Sequence, residues 1–337
     1  MAGDCGPDPR KMKFAEGLSG EICCWLRDLG WSDPHRIFGG RNNRIFKVSG
    51  DGSEAALKIY YRGGGDARDR YSHEKTFYGV ANARGASAPH WLSANDRLGV
   101  SLLEWIEGEP VPLPAGGGDV LAAAAFLNRI NKEKIPAELE RMHASEACFS
   151  VADHTALLER RIAVLEESAK VSGVLAEFMA TQLRPAAQQA QEKLRSDKNA
   201  EFREWGGSRI FSPGDFGLHN ALRQADGRVV FFDFEYAGWD DPAKTVADVF
   251  LQPEKPVDWD LLGEFCDQLD AWPGLEDRVR SWIPFYAAKW AVILMNSAAR
   301  DGVQRRVFAE DSTDDETLLR QIKKARGVLE RGRQLSQ

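Results

Sequence analysis

The chain has 337 residues, 43% hydrophobic and 28% charged, an ordinary composition for a soluble globular protein and enough for one large domain or two lobes sharing a cleft. Its formal net charge is −7 and no Lys/Arg-rich face is long enough to track a phosphate backbone, so nucleic acid is not an expected partner. No run of about 18 apolar residues occurs, so no membrane span is expected.

Phe14, Leu18, Ile22 and Leu26 recur at helical spacing and predict an amphipathic helix over 12–30, closed by Gly30. The first residues show no charged segment followed by an apolar one, and five cysteines without zinc-type spacing fit a reduced cytoplasm. Between Ile37 and Val48, two apolar stretches flank Gly39, Gly40, Arg41, Asn42 and Asn43, which predicts two strands joined by a tight turn. Glycine puts no Cβ in the way, so such a turn can bring backbone N–H groups up to phosphate oxygens, although a plain hairpin reads the same. Ser49–Gly52 is a second turn, and the strand 55–60 after it carries Lys58 among apolar neighbours. Taken alone, Lys58 reads as an exposed edge lysine. A helix over Asp66–Arg84 offers it a partner, Glu74, just ahead of Phe77 and Tyr78, which should pack the helix on the sheet.

Pro89–Ala94 and Leu98–Leu103 predict two more strands, joined at Asn95 and Asp96 and running into Glu104, Trp105 and Ile106. Pro110–Gly118 is a Pro- and Gly-rich connector, so the chain divides into an N-terminal lobe, 1–104, and a C-terminal lobe, 105–337. From there the pattern is helical: Asp119–Lys132 with an N-terminal Asp cap, Thr155–Ala169 after Asp153, and Val174–Leu194 interrupted at Pro185.

The stretch 209–235 breaks that run. Arg209–Ser212 predicts a short strand ending in a Pro213-Gly214 turn; Asp215 and Asn220 follow on a loop. Ala221–Arg223 and Val229–Asp233 then form a hairpin about Asp226-Gly227. Two carboxylates and one amide oxygen end beside a common cleft, a set of hard donors that suits Mg²⁺. Beyond it come helices near Lys244–Leu251, Trp259–Leu269, Leu275–Ala299 (kinked at Pro284) and Asp314–Gln337. The Leu275 helix carries Trp282, Phe285, Lys289 and Trp290, which would either wall an acceptor pocket or simply pack a core.

Asp215, Asn220 and Asp233, with Lys58 and Glu74 upstream, resemble the catalytic centre of the aminoglycoside phosphotransferase and choline kinase family. That resemblance implies an α+β, bilobal, protein-kinase-like fold, with a small antiparallel-sheet lobe bearing one main helix and a larger helical lobe. It implies an ATP- and Mg²⁺-dependent transfer of the γ-phosphoryl group to a hydroxyl of a small metabolite. By matching position, Asp215 receives or orients the hydroxyl, Asn220 and Asp233 carry metal, and Lys58 held by Glu74 faces the phosphates. The glycine-containing turn (Gly39, Gly40, Asn42, Asn43) covers the phosphates, and the hinge at Glu104, Trp105 and Ile106 meets adenine. Asp248 would hold the catalytic loop, while Glu235, Trp239, Asp240, Lys289 and Trp290 are candidates for the acceptor side. Many members carry His where this chain has Pro213, and Leu-His-Pro-Gly where it has Phe216-Gly217-Leu218-His219, which implies a variant loop. A catalytically weak nucleotide-binding protein, a protein kinase and a nucleotidyltransferase are the alternatives for the same cleft.

Overall fold

Strands β1 (Ser32–Ile37), β2 (Arg44–Gly50), β3 (Ser53–Ile59), β4 (Trp91–Asn95) and β5 (Val100–Glu104) form one antiparallel sheet in the order β1-β2-β3-β5-β4. The computed structural model describes residues 18–38, 43–62, 69–170, 172–196, 208–295 and 315–335. Gly39, Gly40 and Asn42 therefore lie outside the described residues, as does the start of the expected first helix. The β2–β3 turn is the expected one: Asp51 and Gly52 both take positive φ, 46° and 76°, the twist that lets a tight hairpin close without splaying its strands.

Alternation along β2 and β3 divides the sheet's duties. Phe46, Val48, Ala55 and Leu57, with Val100 and Leu102 of β5, turn to α1 (Gly20–Asp28) and close a small core over Ile22 and Leu26. The opposite face presents Ala56, Lys58 and Leu103. Helix α2 (Arg70–Ala83), capped by the Asp69 carboxylate on Ser72 N at 3.1 Å, covers that side and brings Glu74 to Lys58. Phe77 and Tyr78 do not simply pack α2 on the sheet. Their rings lie 4.7 and 4.9 Å from Phe234, and Phe77 stacks 5.4 Å from Phe211, so this face of α2 joins the main aromatic core.

The remaining strands are short. β6 (Glu109–Pro110), β8 (Ala221–Arg223) and β9 (Val229–Phe231) make a three-stranded sheet, and β7 (Ile210–Ser212) pairs with β10 (Gly238–Asp240). Strand β10 was not expected; Gly238 makes it possible, because a Cβ there would lie 2.5 Å from His143 C. Helices α3 (Gly117–Asn131), α4 (Val151–Ala169), α5 (Gly173–Phe178), α6 (Arg184–Ser196), α7 (Pro242–Leu251), α8 (Leu262–Asp267), α9 (Leu275–Leu294) and α10 (Asp315–Gln334) build the rest. Asp119 is not the α3 cap itself; it sits in the first turn and accepts from Gly116 N at 3.0 Å. Between α5 and α6 the chain widens into one π turn, Met179–Leu183, just ahead of Pro185. A proline cannot donate to the carbonyl four residues back and its ring crowds that carbonyl, so the disturbance falls on the preceding turn. Helix α9 runs through Pro284 without ending. Among the described residues no helix is long and apolar enough to cross a membrane.

Candidate active site

The loop after β7 holds Asp215 by backbone geometry. Gly214 has φ +88°, and a Cβ there would meet Tyr236 O at 2.5 Å, so only glycine fits this turn. Gly214 N donates to Ser212 Oγ at 3.1 Å, and Thr245 Oγ1 on α7 lies 3.0 Å from the same hydroxyl. Phe216 then anchors the loop in the core, its ring 5.5 Å from Phe126 and 5.0 Å from Phe231. Asp215 is left pointing outward, its side chain 43% exposed.

Asn220 and Asp233 stand at the open end of the β8–β9 hairpin. Ala221 pairs with Phe231, and one step further Phe232 N donates to Asn220 O at 3.0 Å, which leaves Asp233 one residue past Asn220's partner. Asn220 Nδ2 donates to Asp215 O at 2.9 Å, so its amide nitrogen holds the loop and its oxygen is the end left for a ligand. Asp233 has φ 68°, an uncommon conformation for a residue with a side chain, and one that turns its carboxylate back toward the sheet.

There it meets Lys58. Nζ lies 2.5 Å from Asp233 Oδ1 and 2.7 Å from Glu74 Oε2, joining β3, α2 and the end of the hairpin at one ammonium. Burial by itself would lower the Lys58 pKa; the carboxylates of Asp233, Glu74 and Glu235 outweigh it and hold the ammonium above its ordinary value. Glu74 is fully buried, and loss of water pushes its carboxyl above the usual range, with Lys58 pulling it back and Asp233 adding to the rise. Glu74 Oε1 also accepts from Phe234 N at 3.0 Å, which fixes the chain next to Asp233.

The β ladder ends at the Ala55–Glu104 pair, so the backbone of Trp105 and Ile106 lies beyond it, in the segment expected to be the hinge. Trp105 Nε1 donates to Glu107 Oε1 at 2.7 Å, and Lys47 Nζ stands 4.6 Å from the indole centroid. Glu104 accepts from His90 N at 3.0 Å.

A likeness to known proteins decides the family. The family model described as "Phosphotransferase enzyme family" matches residues 35–282. This chain belongs to that phosphotransferase family. Comparison with curated proteins finds no match. Among solved structures, choline kinase from Streptococcus pneumoniae is 14% identical over 92% of this chain and 98% of its own, with a TM-score of 0.59. An aminoglycoside phosphotransferase from Alicyclobacillus acidocaldarius is 16% identical over 97% and 98%, with a TM-score of 0.56. Plasmodium vivax ethanolamine kinase is 14% identical over 89% and 81%, with a TM-score of 0.54. At such identities the likeness is one of fold, and the fold is kinase-like, α+β, with an N-terminal antiparallel sheet.

Within this phosphotransferase several expected roles move. Asp248 does not reach the catalytic loop: it accepts from Lys289 Nζ at 2.9 and 3.1 Å and from Trp290 Nε1 at 2.9 Å. Thr245, three residues earlier and so on a neighbouring face of α7, is the one that touches Ser212. Lys289, Trp290 and Asp240 are buried and bonded within the protein, Asp240 to Lys244 and to the backbone N–H groups of Cys148 and Asp241, so they are not free to line an acceptor pocket. Trp239 belongs to β10, with Nε1 on Leu139 O at 2.9 Å. Glu235 faces the sheet rather than an acceptor: it accepts from Asn43 Nδ2 at 2.6 Å and Arg70 Nη1 at 3.3 Å.

Asp241 was missed and proves central. It caps α7 through Ala243 N at 2.8 Å, and its other oxygen takes Arg278 at 2.5 Å, His154 at 2.9 Å and Tyr286 at 3.0 Å. An acid directly before proline at a helix start is the sequence signal that could have found it.

Proposed function

We propose that this phosphotransferase moves the γ-phosphoryl group of Mg²⁺·ATP to a hydroxyl of a small metabolite, of aminoglycoside, amino alcohol or sugar type. One observation carries the reading: a buried strand lysine held at once by a helix carboxylate and by the carboxylate that ends the hairpin. Such a lysine is arranged to be handed to phosphate oxygens. The names of the structural neighbours, choline, ethanolamine and aminoglycoside kinases, support the acceptor class.

The residues present fit Mg²⁺. Asp233 and Asn220 supply two hard oxygens at one hairpin end, and Mg²⁺ commonly takes one or two protein ligands and completes its shell with waters and substrate phosphates. Bound there, the ion would neutralise charge on the phosphate oxygens as the terminal phosphoryl group leaves. The chain's own groups do the remaining work. Lys58 shifts from Asp233 toward the phosphates while Glu74 keeps it on the cleft side of β3. Backbone groups of Trp105 and Ile106 meet the base edge. Asp215, exposed beside this end of the hairpin, accepts the proton of the incoming hydroxyl and aligns it for in-line attack.

Product analysis by mass spectrometry, after incubation of an aminoglycoside, amino alcohol and sugar panel with ATP and Mg²⁺, tests the reading. A gain of one phosphate on one acceptor class is expected; a gain of AMP would make the protein a nucleotidyltransferase. Asp215→Ala should slow turnover roughly 10²–10⁴-fold, the usual worth of a positioned base, and near-wild-type turnover would refute its role. Asp233→Ala should remove the thermal stabilisation given by Mg²⁺·ATP.

A further inference from the structure

His219 has no part in the reaction as just described, yet it is built into the loop. It lies in the 3₁₀ turn Leu218–Asn220, with a side chain only 14% exposed. Both ring nitrogens are closed to water, and among the described residues neither completes a hydrogen bond. A buried polar group left so is costly, which makes the group it faces the one that matters. Nε2 faces Asp215, 3.3 Å from Oδ1.

The local backbone enforces that approach. Asn220 N bonds Gly217 O at 3.1 Å, and the Asn220 side chain bonds Asp215 O at 2.9 Å, so the loop is tied across its base while the ring lies back over the carboxylate. Gly217 leaves the space: a Cβ at 217 would sit 3.1 Å from His219 Nδ1, tighter than an ordinary contact, with Gln252 Cβ 3.8 Å away. The ring fills the space that a side chain at 217 would take.

We infer that His219 is a positioning residue for Asp215. With the acceptor in place its Nε2–H closes on Oδ1, favouring one rotamer of a carboxylate whose side chain is 43% exposed, and so leaves the second oxygen toward the acceptor hydroxyl. A gap of 3.3 Å is long for such a bond, and catalytic hydrogen bonds commonly tighten once substrate is in place. The inference rests on the reading of Asp215 as the group that orients the hydroxyl. It places the effect in turnover and leaves nucleotide binding alone, because Lys58, Glu74 and Asp233 are held by other contacts.

Two measurements test it. In steady-state kinetics with Mg²⁺·ATP and the panel member the wild type phosphorylates, His219→Leu should lower kcat about 10–100-fold, the usual worth of an outer partner, with KM for Mg²⁺·ATP within about twofold. His219→Gln, whose amide nitrogen falls where Nε2 was, should recover most of the loss; His219→Asn, which reproduces Nδ1, should not. A wild-type kcat in His219→Leu, or a Gln variant no better than the Leu variant, overturns the inference. Independently of any acceptor, the His219 ring resonances of ¹⁵N-histidine-labelled protein, read at one pH, should shift on Asp215→Ala. Unmoved resonances overturn it as well, whereas an intact shift in a wild type that phosphorylates nothing would leave this contact standing and sink the proposed reaction instead.

Discussion

Lys58 keeps its charge in a place where burial opposes it, and the opposition is visible in its partner. Burial drives the Glu74 carboxyl upward, to about 7, even with the ammonium 2.7 Å away. A carboxyl raised in the fold binds more protons folded than unfolded, so its contribution to stability is greatest below its unfolded pKa and is lost as pH rises through the folded one. Lys58→Met removes the cation that pulls Glu74 down and leaves two carboxylates facing each other, so the window of loss moves to higher pH. Thermal or urea unfolding should show the variant about 3 kcal/mol less stable than wild type at pH 8, the scale of a broken buried pair, and nearer to it at pH 6. A deficit equal at both pH values would sink this account. The contact of Lys58 with Glu74 and Asp233 was legible because each position requires one kind of atom: an ammonium on a strand, a carboxylate on the next helix, a carboxylate at the hairpin end. Asp240, Lys289 and Trp290 were misjudged for the converse reason, since a polar residue that satisfies a core looks, in a sequence, like one that waits for a ligand. Only their partners, Lys244 and Asp248, tell the two apart.

Helix α7 shows the same ambiguity at the level of an element. Its expected extent, near Lys244–Leu251, falls close to the observed Pro242–Leu251, because a proline at the first turn and an apolar stripe mark it locally. What holds it was not legible, because Arg278, His154 and Tyr286 converge on Asp241 from α9 and α4, far along the chain. Burial would raise the Asp241 carboxyl, but Arg278 and His154 outweigh it and hold it below its usual range. Asp241→Asn keeps a side chain that caps as well as Asp and loses the charge opposite Arg278, whereas Asp241→Ala loses both. Urea unfolding should rank them: Ala the worse, at roughly 4 kcal/mol from a lost cap plus a broken buried ion pair, and Asn short of it by about the worth of a cap, ~1 kcal/mol. Equal losses in the two variants would mean that the α7 cap contributes nothing. His154 adds a pH signature to the same cluster. Burial lowers its pKa, although Asp241 and Asp240 pull the other way and Lys244 adds to the fall. A histidine lowered in the fold gives its full stability above its unfolded pKa and loses it as pH falls through that value, so His154→Phe should flatten the fall in melting temperature below about pH 6.5. A slope unchanged by the substitution would place the acid sensitivity elsewhere.

Across the whole molecule, the buried apolar side chains of the described residues gather into two clusters. The outer face of the sheet and α1 close a small core of their own, while Phe77 and Tyr78 of α2 and Leu103 of β5 belong to the large core that runs through Phe126, Phe211, Phe234 and α7. Phe77 and Tyr78 marked a buried face on α2; they carried no information about which set of aromatic rings that face would meet. The consequence reaches the site, since Glu74 sits one turn before Phe77 and Tyr78 on the helix that those rings fasten down. Native-state hydrogen exchange should therefore find the amides of Glu74–Ala81 protected like those of α3 and α7, and the outer strands β1 and β2 opening more readily. Phe77→Ala, at about 3–5 kcal/mol for a buried ring, should lower the protection of α2 and α3 together and weaken the proposed Mg²⁺·ATP binding by loosening Glu74 from Lys58. Phe46→Ala, in the small core, should release β1 and β2 while α2 keeps its protection. If α2 instead lost protection with β2 in the Phe46 variant, the helix would be energetically part of the sheet, and the support of the lysine–carboxylate centre would have to be sought there.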